Sequence, residues 1–255
     1  TLLLMEQREV PLVSFSVLVK AGSVSDPAGK EGVASMTAAL LRKGTATRSA
    51  DEFSAQLDFI GGSFGAGASA DATVMSAEFM KKDLAKGLEL LADAMLRPSF
   101  PDAEVKKLAA QRVDGIKSAK DRAAGVIGQY FNAYLYGTHP YARPTGGTEA
   151  SVASISREDV ARFYEANYAP GGTVMAVAGD FSIPEMEKQL AGVFGGWPVK
   201  PAAAVALTDA PAVKGRKLLL VDKPDSTQTY FRIGNIGIAR SNPDRVLIEI
   251  VNTLF

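Results

Sequence analysis

The sequence predicts an α+β fold in which the opening order of elements begins again near the C-terminal end. Two observations lead to this prediction. Segments with the period of a strand alternate with segments that have the period of a helix. In addition, a strand-like segment over 14–20 and a helical segment over 30–43 recur in the same order over 229–238 and 243–254. The second observation indicates an internal duplication.

Strands are predicted in three places within the first part of the chain. Residues 10–20 are β-branched and partly alternating. Residues 63–79 alternate small and larger side chains around Asp71-Ala72, which predicts two strands joined by a tight turn. Residues 173–179 form a continuous apolar run, which is typical of a fully buried strand.

Helices are predicted between these strands because apolar residues recur at helical spacing. The segments span 30–43, 53–60, 81–96, 102–120, 123–135, 156–164 and the residues up to Phe194. Ser49 with Glu52, and Ser182 with Glu185, have the spacing of capping boxes, in which serine and glutamate satisfy the first free N–H groups. Pro98 ends the helix before it, since proline disfavours helical backbone in the preceding residue.

The chain is predicted to contain one domain and the beginning of another. Residues 1–198 form the first domain. Residues 199–213 are rich in alanine and proline without an amphipathic period, so they are predicted to be an interdomain linker. Residues 214–255 are predicted to begin a homologous second domain, with strands over 217–221 and 229–238. So short a segment cannot bury a normal core, so we expect the natural protein to be longer.

Composition excludes several classes of function. The chain has 28 basic and 28 acidic residues, so its net charge of zero gives no reason to expect nucleic acid or an anionic membrane surface as a partner. No apolar run approaches the roughly 20 residues that a membrane span needs. The chain has no cysteine and one histidine, which excludes disulfides, thiol catalysis and cysteine-based zinc sites.

One helical segment resembles a known motif. The segment reads Gly32-Val-Ala-Ser-Met-Thr-Ala-Ala-Leu-Leu-Arg-Lys-Gly-Thr45. It resembles the helix with the inverted zinc motif of pitrilysin-like and insulinase-like metallopeptidases, His-x-x-Glu-His in a frame that ends Lys-Gly-Thr. There the two histidines bind zinc and the glutamate polarises the attacking water. The matching positions here are Ser35, Ala38 and Ala39, which can do neither.

The position of the family's third zinc ligand is also changed. The segment 111–116 resembles the surroundings of that ligand, a glutamate, and it has Gly115 in its place. Asp114 is adjacent but is expected to point elsewhere on the helix. The segments 61–64, 97–100, 139–144 and 167–170 extend the resemblance in order and spacing across the first domain. The resemblance therefore implies no catalytic residue and no metal ligand in this chain.

The resemblance further implies a fold and a function. The fold is a two-layer sandwich of a mixed sheet covered by helices, built as duplicated halves. The function is that of a non-catalytic subunit of a heteromeric zinc metallopeptidase, related to the alpha subunit of the mitochondrial processing peptidase. In such an assembly a zinc-bearing homologous subunit cuts the peptide, and the inactive subunit helps to enclose and align it. We therefore expect zinc only in the partner, no cofactor in this chain, and a periplasmic or secreted location in a bacterium.

A peptide-docking strand follows from the same resemblance. In active relatives the strand that matches 63–69 lies at the sheet edge and pairs with the peptide through backbone hydrogen bonds. Relatives have asparagine-alanine where this chain has Gly65 and Ala66. The expected docking residues are Gly65, Ala66, Gly67 and Ala68.

Other interpretations remain open. One is a purely structural subunit, like the peptidase-derived core subunits of respiratory complexes. Another is an enzyme whose metal is bound by carboxylates alone, although no acidic cluster has suitable spacing for it. Ser35 as a nucleophile would need a base, and no base stands at suitable spacing. The only histidine, His139, lies in a segment that matches a structural loop of the family.

Overall fold

A computed structural model describes residues 1–201, 207, 209–212, 214–224 and 226–254. Its five-stranded sheet has the order β1-β5-β2-β4-β3. The strands are β1 (Leu2–Glu6), β2 (Leu12–Val19), β3 (Ser63–Ala68), β4 (Thr73–Met80) and β5 (Thr173–Gly179). β1 pairs with β5 in parallel, whereas the other neighbours are antiparallel. The sheet is therefore mixed, as the family resemblance implies.

Helices lie between β2 and β3, between β4 and β5, and after β5. They are α1 (Val33–Leu40), α2 (Ala50–Phe59), α3 (Leu84–Leu96), α4 (Asp102–Lys120), α5 (Ala123–Tyr136), α6 (Glu149–Ser154), α7 (Arg157–Asn167), α8 (Ile183–Phe194) and α9 (Arg245–Leu254). The capping box of Ser49 and Glu52 is present. The second predicted box, at Ser182 and Glu185, is only partly present. The Ser182 hydroxyl accepts a hydrogen bond from the Glu185 N–H, as predicted. The carboxylate that accepts at the start of this helix is that of Glu6, which binds the Ile183 N–H at 2.7 Å.

The core lies between the helices and one face of the sheet. In β2 the residues Val13, Phe15, Val17 and Val19 are buried, and Ser14 and Ser16 between them are exposed. β4 alternates in the same way. One face of the sheet is thus covered by helices and the other is open, which confirms the predicted two-layer α+β sandwich.

Two sets of interactions hold α1 in place. Val33, Met36 and Leu40 are 0% exposed and belong to the core. At the start of the helix the buried carboxylate of Asp26 accepts hydrogen bonds from the Gly32 N–H at 2.6 Å and the Ala34 N–H at 2.9 Å. These bonds satisfy N–H groups that the first turn of a helix leaves free.

Two sequence predictions for the C-terminal part are wrong. Residues 217–221 and 229–238 are not strands, because no described strand forms a ladder with them, and a strand needs such a neighbour to satisfy its backbone groups. Leu220 is 86% exposed and Ile233 is 90% exposed. The helix predicted over 243–254 is present as α9. The predicted linker lies partly outside the described residues, which exclude 202–206, 208 and 213, and the last predicted domain likewise includes the undescribed positions 225 and 255.

Two elements were not predicted. β1 is formed at the beginning of the chain by pairing with β5, and α6 is a short helix that begins after the capping residue Thr148. Within the described part of the chain, no helix is long and apolar enough to cross a membrane.

Candidate functional site

The motif positions lie where α1 and α4 pack against each other. Ser35 belongs to α1, and Arg112 belongs to α4. The Arg112 guanidinium donates to the Ser35 hydroxyl oxygen at 2.8 Å through Nη1 and to the Ser35 carbonyl oxygen at 3.3 Å through Nη2. Burial lowers the pKa of this guanidinium, but arginine stays protonated in proteins. A permanent positive charge therefore lies against the first motif position.

These residues do not fit a zinc ion. Ser35 already accepts a hydrogen bond from a cation, and a cation beside it repels a second one. The side chains of Ala38 and Ala39 and the glycine at 115 offer no metal-ligand atoms, and a Cβ added at Gly115 would meet open space. Among the described residues there is also no group of three histidine, cysteine or acidic side chains that could hold a metal. The chemistry available here is hydrogen bonding and charge.

A groove lies beside the motif positions. Its volume is about 380 Å³. Ala38 and Ala39 line it from α1, and Leu108 and Gln111 line it from α4. β3 forms a third wall through Phe64, Gly65 and Ala66. The structure thus brings two of the degenerate motif positions together with part of the predicted docking strand.

The free edge of β3 presents main-chain hydrogen-bonding groups. β3 is the last strand of the sheet, and the Ser69 N–H donates to the Ala72 carbonyl at 2.8 Å in the turn to β4. In an antiparallel ladder the hydrogen-bonded pairs alternate with pairs that are not bonded. Counting back from Ser69, Gly67 and Gly65 therefore bond to β4. The main-chain groups that point away from β4 belong to Phe64, Ala66 and Ala68.

Of the four predicted docking residues, Ala66 and Ala68 can therefore pair with an added strand, whereas the main chain of Gly65 and Gly67 is used within the sheet. Ala66 also lines the groove. An extended chain that paired with Ala66 would consequently run along the groove.

The groove is positively charged. Arg42 and Lys43, which follow the end of α1, and Lys107 of α4 line it, against one acidic residue, Glu104. The Lys107 Nζ lies 3.9 Å from the Glu104 carboxylate. Arg42 and Lys43 are half-buried, and neither makes an ion pair within the part of the chain that the structure describes.

Sequence reasoning missed Arg112 and these three cations. Arg112 could have been found, because it lies three residues before Gly115 in a helical segment, and residues at this spacing share a helix face. Arg42, Lys43 and Lys107 could not have been found together, because no local pattern links α1 to α4. His139 lies in a different place: it does not line the groove, and its Nδ1 accepts the Tyr141 N–H at 3.2 Å.

Comparison with protein families gives two matches. Residues 2–149 match the insulinase family, peptidase family M16, and residues 154–255 match the peptidase M16 inactive domain. Together the matches extend over both the groove and the C-terminal part. The first match alone includes α1, β3 and α4.

Individual relatives are bacterial and longer than this chain. An uncharacterized zinc protease of Mycobacterium leprae is 29% identical over 243 residues, which are 94% of this chain and 54% of the relative. An uncharacterized zinc protease of Bacillus subtilis is 27% identical over 229 residues, 89% of this chain and 54% of the relative. The chain thus spans about half the length of the curated relatives it matches.

Solved structures share the fold. A peptidase M16 inactive domain from Pseudomonas fluorescens superposes with a TM-score of 0.78 at 29% identity, over 82% of this chain and 51% of that one. Pitrilysin superposes with a TM-score of 0.71 at 21% identity, over 82% of this chain and 23% of its own. With the sandwich, the order of elements and the family match in agreement, the chain belongs to the insulinase family, peptidase family M16.

Proposed function

We propose that this protein is a non-catalytic subunit of a heteromeric zinc metallopeptidase, which helps to enclose and align peptides for a zinc-bearing homologous partner. The observation on which the proposal depends is the bond between Arg112 and Ser35, which puts a guanidinium where an active relative needs a metal ligand. Ala38, Ala39 and Gly115 supply neither a ligand nor a base. Without an activated water, cleavage must occur in another chain.

The groove and the edge of β3 support a role in peptide handling. The outward main-chain groups of Ala66 and Ala68 allow an extended peptide to add to the sheet as a further strand. Strand addition depends on backbone hydrogen bonds, so it tolerates many peptide sequences. A subunit that aligns varied substrates needs this property.

The family match supports the non-catalytic part of the proposal. The match of residues 154–255 to the M16 inactive domain agrees with a non-catalytic homologue. A periplasmic protease of Escherichia coli, PqqL, has a similar fold with a TM-score of 0.73 at 18% identity. We extend the proposal to a periplasmic location, and to a division into a first domain over 1–198, a linker over 199–213 and the beginning of a second domain over 214–255.

Activity in a reconstituted mixture tests the proposal. The chain would be assayed for cleavage of an unfolded peptide alone and mixed one-to-one with a homologue that has the intact His-x-x-Glu-His motif. We expect no cleavage by this chain alone, and cleavage by the mixture well above that of the homologue alone. Zinc-dependent cleavage by this chain in isolation would refute the non-catalytic role.

A variant pair separates peptide handling from a purely structural role. Ala66→Pro removes an outward N–H without breaking a bond to β4, whereas Ala66→Ser keeps that N–H and a small side chain. We expect Ala66→Pro to lower the activity of the mixture but not the association of the two subunits, and Ala66→Ser to change neither. Full activity with Ala66→Pro would favour the structural role.

A further inference from the structure

We propose that the groove selects extended peptides with an acidic side chain, which Arg42, Lys43 and Lys107 bind while the peptide backbone pairs with β3. This inference rests on the proposed function and adds a substrate class to it. The balanced charge of the whole chain gives no hint of such a preference, because the excess of positive charge is local to the groove.

The state of the cations is the first argument. Arg42 and Lys43 are partly withdrawn from water, and each lacks a carboxylate partner among the described residues. Cations that line a concave site without carboxylate partners favour the binding of an anionic group there. Among the described residues that line the groove, Glu104 is the only acidic one, and its carboxylate lies 3.9 Å from the Lys107 Nζ, too far for a close charge-assisted hydrogen bond. The lining of the groove therefore has a net positive charge that can bind an anionic ligand.

The direction of the side chains is the second argument. Alternate residues of β3 face the helices, and Phe64 and Ala66 are the ones on this side. A peptide residue paired with Ala66 places its side chain on the same face of the sheet, about 5 Å away. That side chain consequently enters the groove between α1 and α4, where the three cations lie.

Helix electrostatics do not account for the cluster. Cations near the C-terminal end of a helix interact favourably with its dipole, which explains Arg42 and Lys43 in part. Lys107 lies in the second turn of α4, beyond the first turn in which the helix dipole acts on a charge, so the dipole gives no reason for a cation there. Its presence beside the other two therefore fits ligand binding better than helix stabilisation.

Binding of labelled peptides by fluorescence anisotropy tests the inference. Three peptides of equal length are compared. The first two have an amidated C-terminus and differ only in the central residue, which is Glu or Gln. The third has the central Gln and a free C-terminal carboxylate. We expect the Glu peptide to bind the full chain about tenfold more tightly than the amidated Gln peptide, as charge-assisted hydrogen bonds allow. Equal affinity of these two peptides would overturn the inference, and so would a preference for the free carboxylate alone.

Charge variants locate the site. Combined Arg42→Gln, Lys43→Gln and Lys107→Gln should remove the preference for Glu, and Lys107→Gln alone should reduce it without a risk to folding, because Lys107 is exposed. Lys106→Gln is the matched control, since Lys106 lies outside the groove and pairs with Asp102 at 2.6 Å. A preference that survives the triple variant would contradict this site.

The two proposals fail in different ways. If the Glu and Gln peptides bind equally and Ala66→Pro abolishes the binding of both, the peptide-handling role is supported and the acidic preference is refuted. If no peptide binds to the chain, alone or in the mixture, the peptide-handling role falls and the acidic preference falls with it.

Discussion

The two faces of α1 differ in what they tolerate. On the core face Val33, Met36 and Leu40 are fully buried, whereas on the groove side Ser35 and Ala39 are half-buried. The core face determines where the helix lies, because its residues fill space that no other side chain occupies. The other side needs no zinc-binding side chains to hold the helix in place, because the core face does so. The helix of the family can therefore form without the residues of the zinc motif.

The largest effect expected from this comparison is that of Met36→Ala. Removing a fully buried side chain loses transfer free energy and leaves a cavity, so the free energy of unfolding should fall by about 2–5 kcal/mol. Ser35→Ala on the other side removes one hydrogen bond and should cost about 1 kcal/mol or less. Denaturant unfolding measures both. Equal losses would show that the two faces do not differ as described.

The pH dependence of stability examines the start of α1. Burial raises the pKa of Asp26 from its ordinary value of 3.8 to about 6, against the hydrogen bonds from the Gly32 and Ala34 backbone, which lower it. A carboxyl that binds its proton more tightly when folded stabilises the fold at low pH. The free energy of unfolding should therefore fall by about 2 kcal/mol as pH rises from 4 to 6.

Asp26→Asn is the control for this window, because it removes the titrating group. The difference in the free energy of unfolding between the natural chain and this variant should change between pH 4 and 6. Asp93 does not obscure the result: its burial raises its pKa, but hydrogen bonds from Thr45, Thr47, Arg48 and Arg97 lower it to about 2, so it titrates below this range. A pH-independent difference would contradict the assignment to Asp26.

A smaller effect is expected from Arg112→Met, which keeps an unbranched apolar stem and removes the charge. Two hydrogen bonds to Ser35 are lost, but a desolvated charge is lost with them. The free energy of unfolding should change by about 1 kcal/mol or less. A loss as large as that of Met36→Ala in the same unfolding experiment would mean that this contact, and not the core face, holds α1 and α4 together.

The smallest effect, and a stabilising one, is expected from Gly115→Ala. Glycine within a helix costs about 0.5–1 kcal/mol relative to alanine, and an added Cβ at this position meets open space. Gly87→Ala in α3 is the contrasting variant, because its Cβ would lie 2.3 Å from the ring of Phe79. We expect the melting temperature to rise with the first change and to fall with the second. A lower melting temperature for both variants would contradict the open space described around Gly115.

The sequence predicted the elements with local signals. The capping box at Ser49 and the apolar period of residues 84–96 specify their helices from neighbouring residues alone. β1 could not be predicted in this way, because it becomes a strand only by pairing with β5, at the other end of the domain. The strands predicted over 217–221 and 229–238 had suitable composition but no partner among the described residues.

The candidate site shows the same limit. The loss of motif residues at Ser35, Ala38 and Ala39 could be predicted, because it is a matter of residue type at known spacing. The bond from Arg112 to Ser35 joins residues 77 positions apart, so only the packing of α4 on α1 reveals it. The positive groove likewise depends on three chain segments that meet in space.

Zinc content tests the central claim most directly. The natural chain would be equilibrated with excess zinc, freed of unbound metal and measured for zinc per chain. The comparison is a variant in which Ser35→His, Ala38→Glu, Ala39→His and Gly115→Glu restore the family motif and Arg112→Gln removes the cation. We predict no stoichiometric zinc in the natural chain and about one equivalent in the restored variant. One tightly bound zinc in the natural chain would contradict the claim that the motif positions of this chain do not fit a metal.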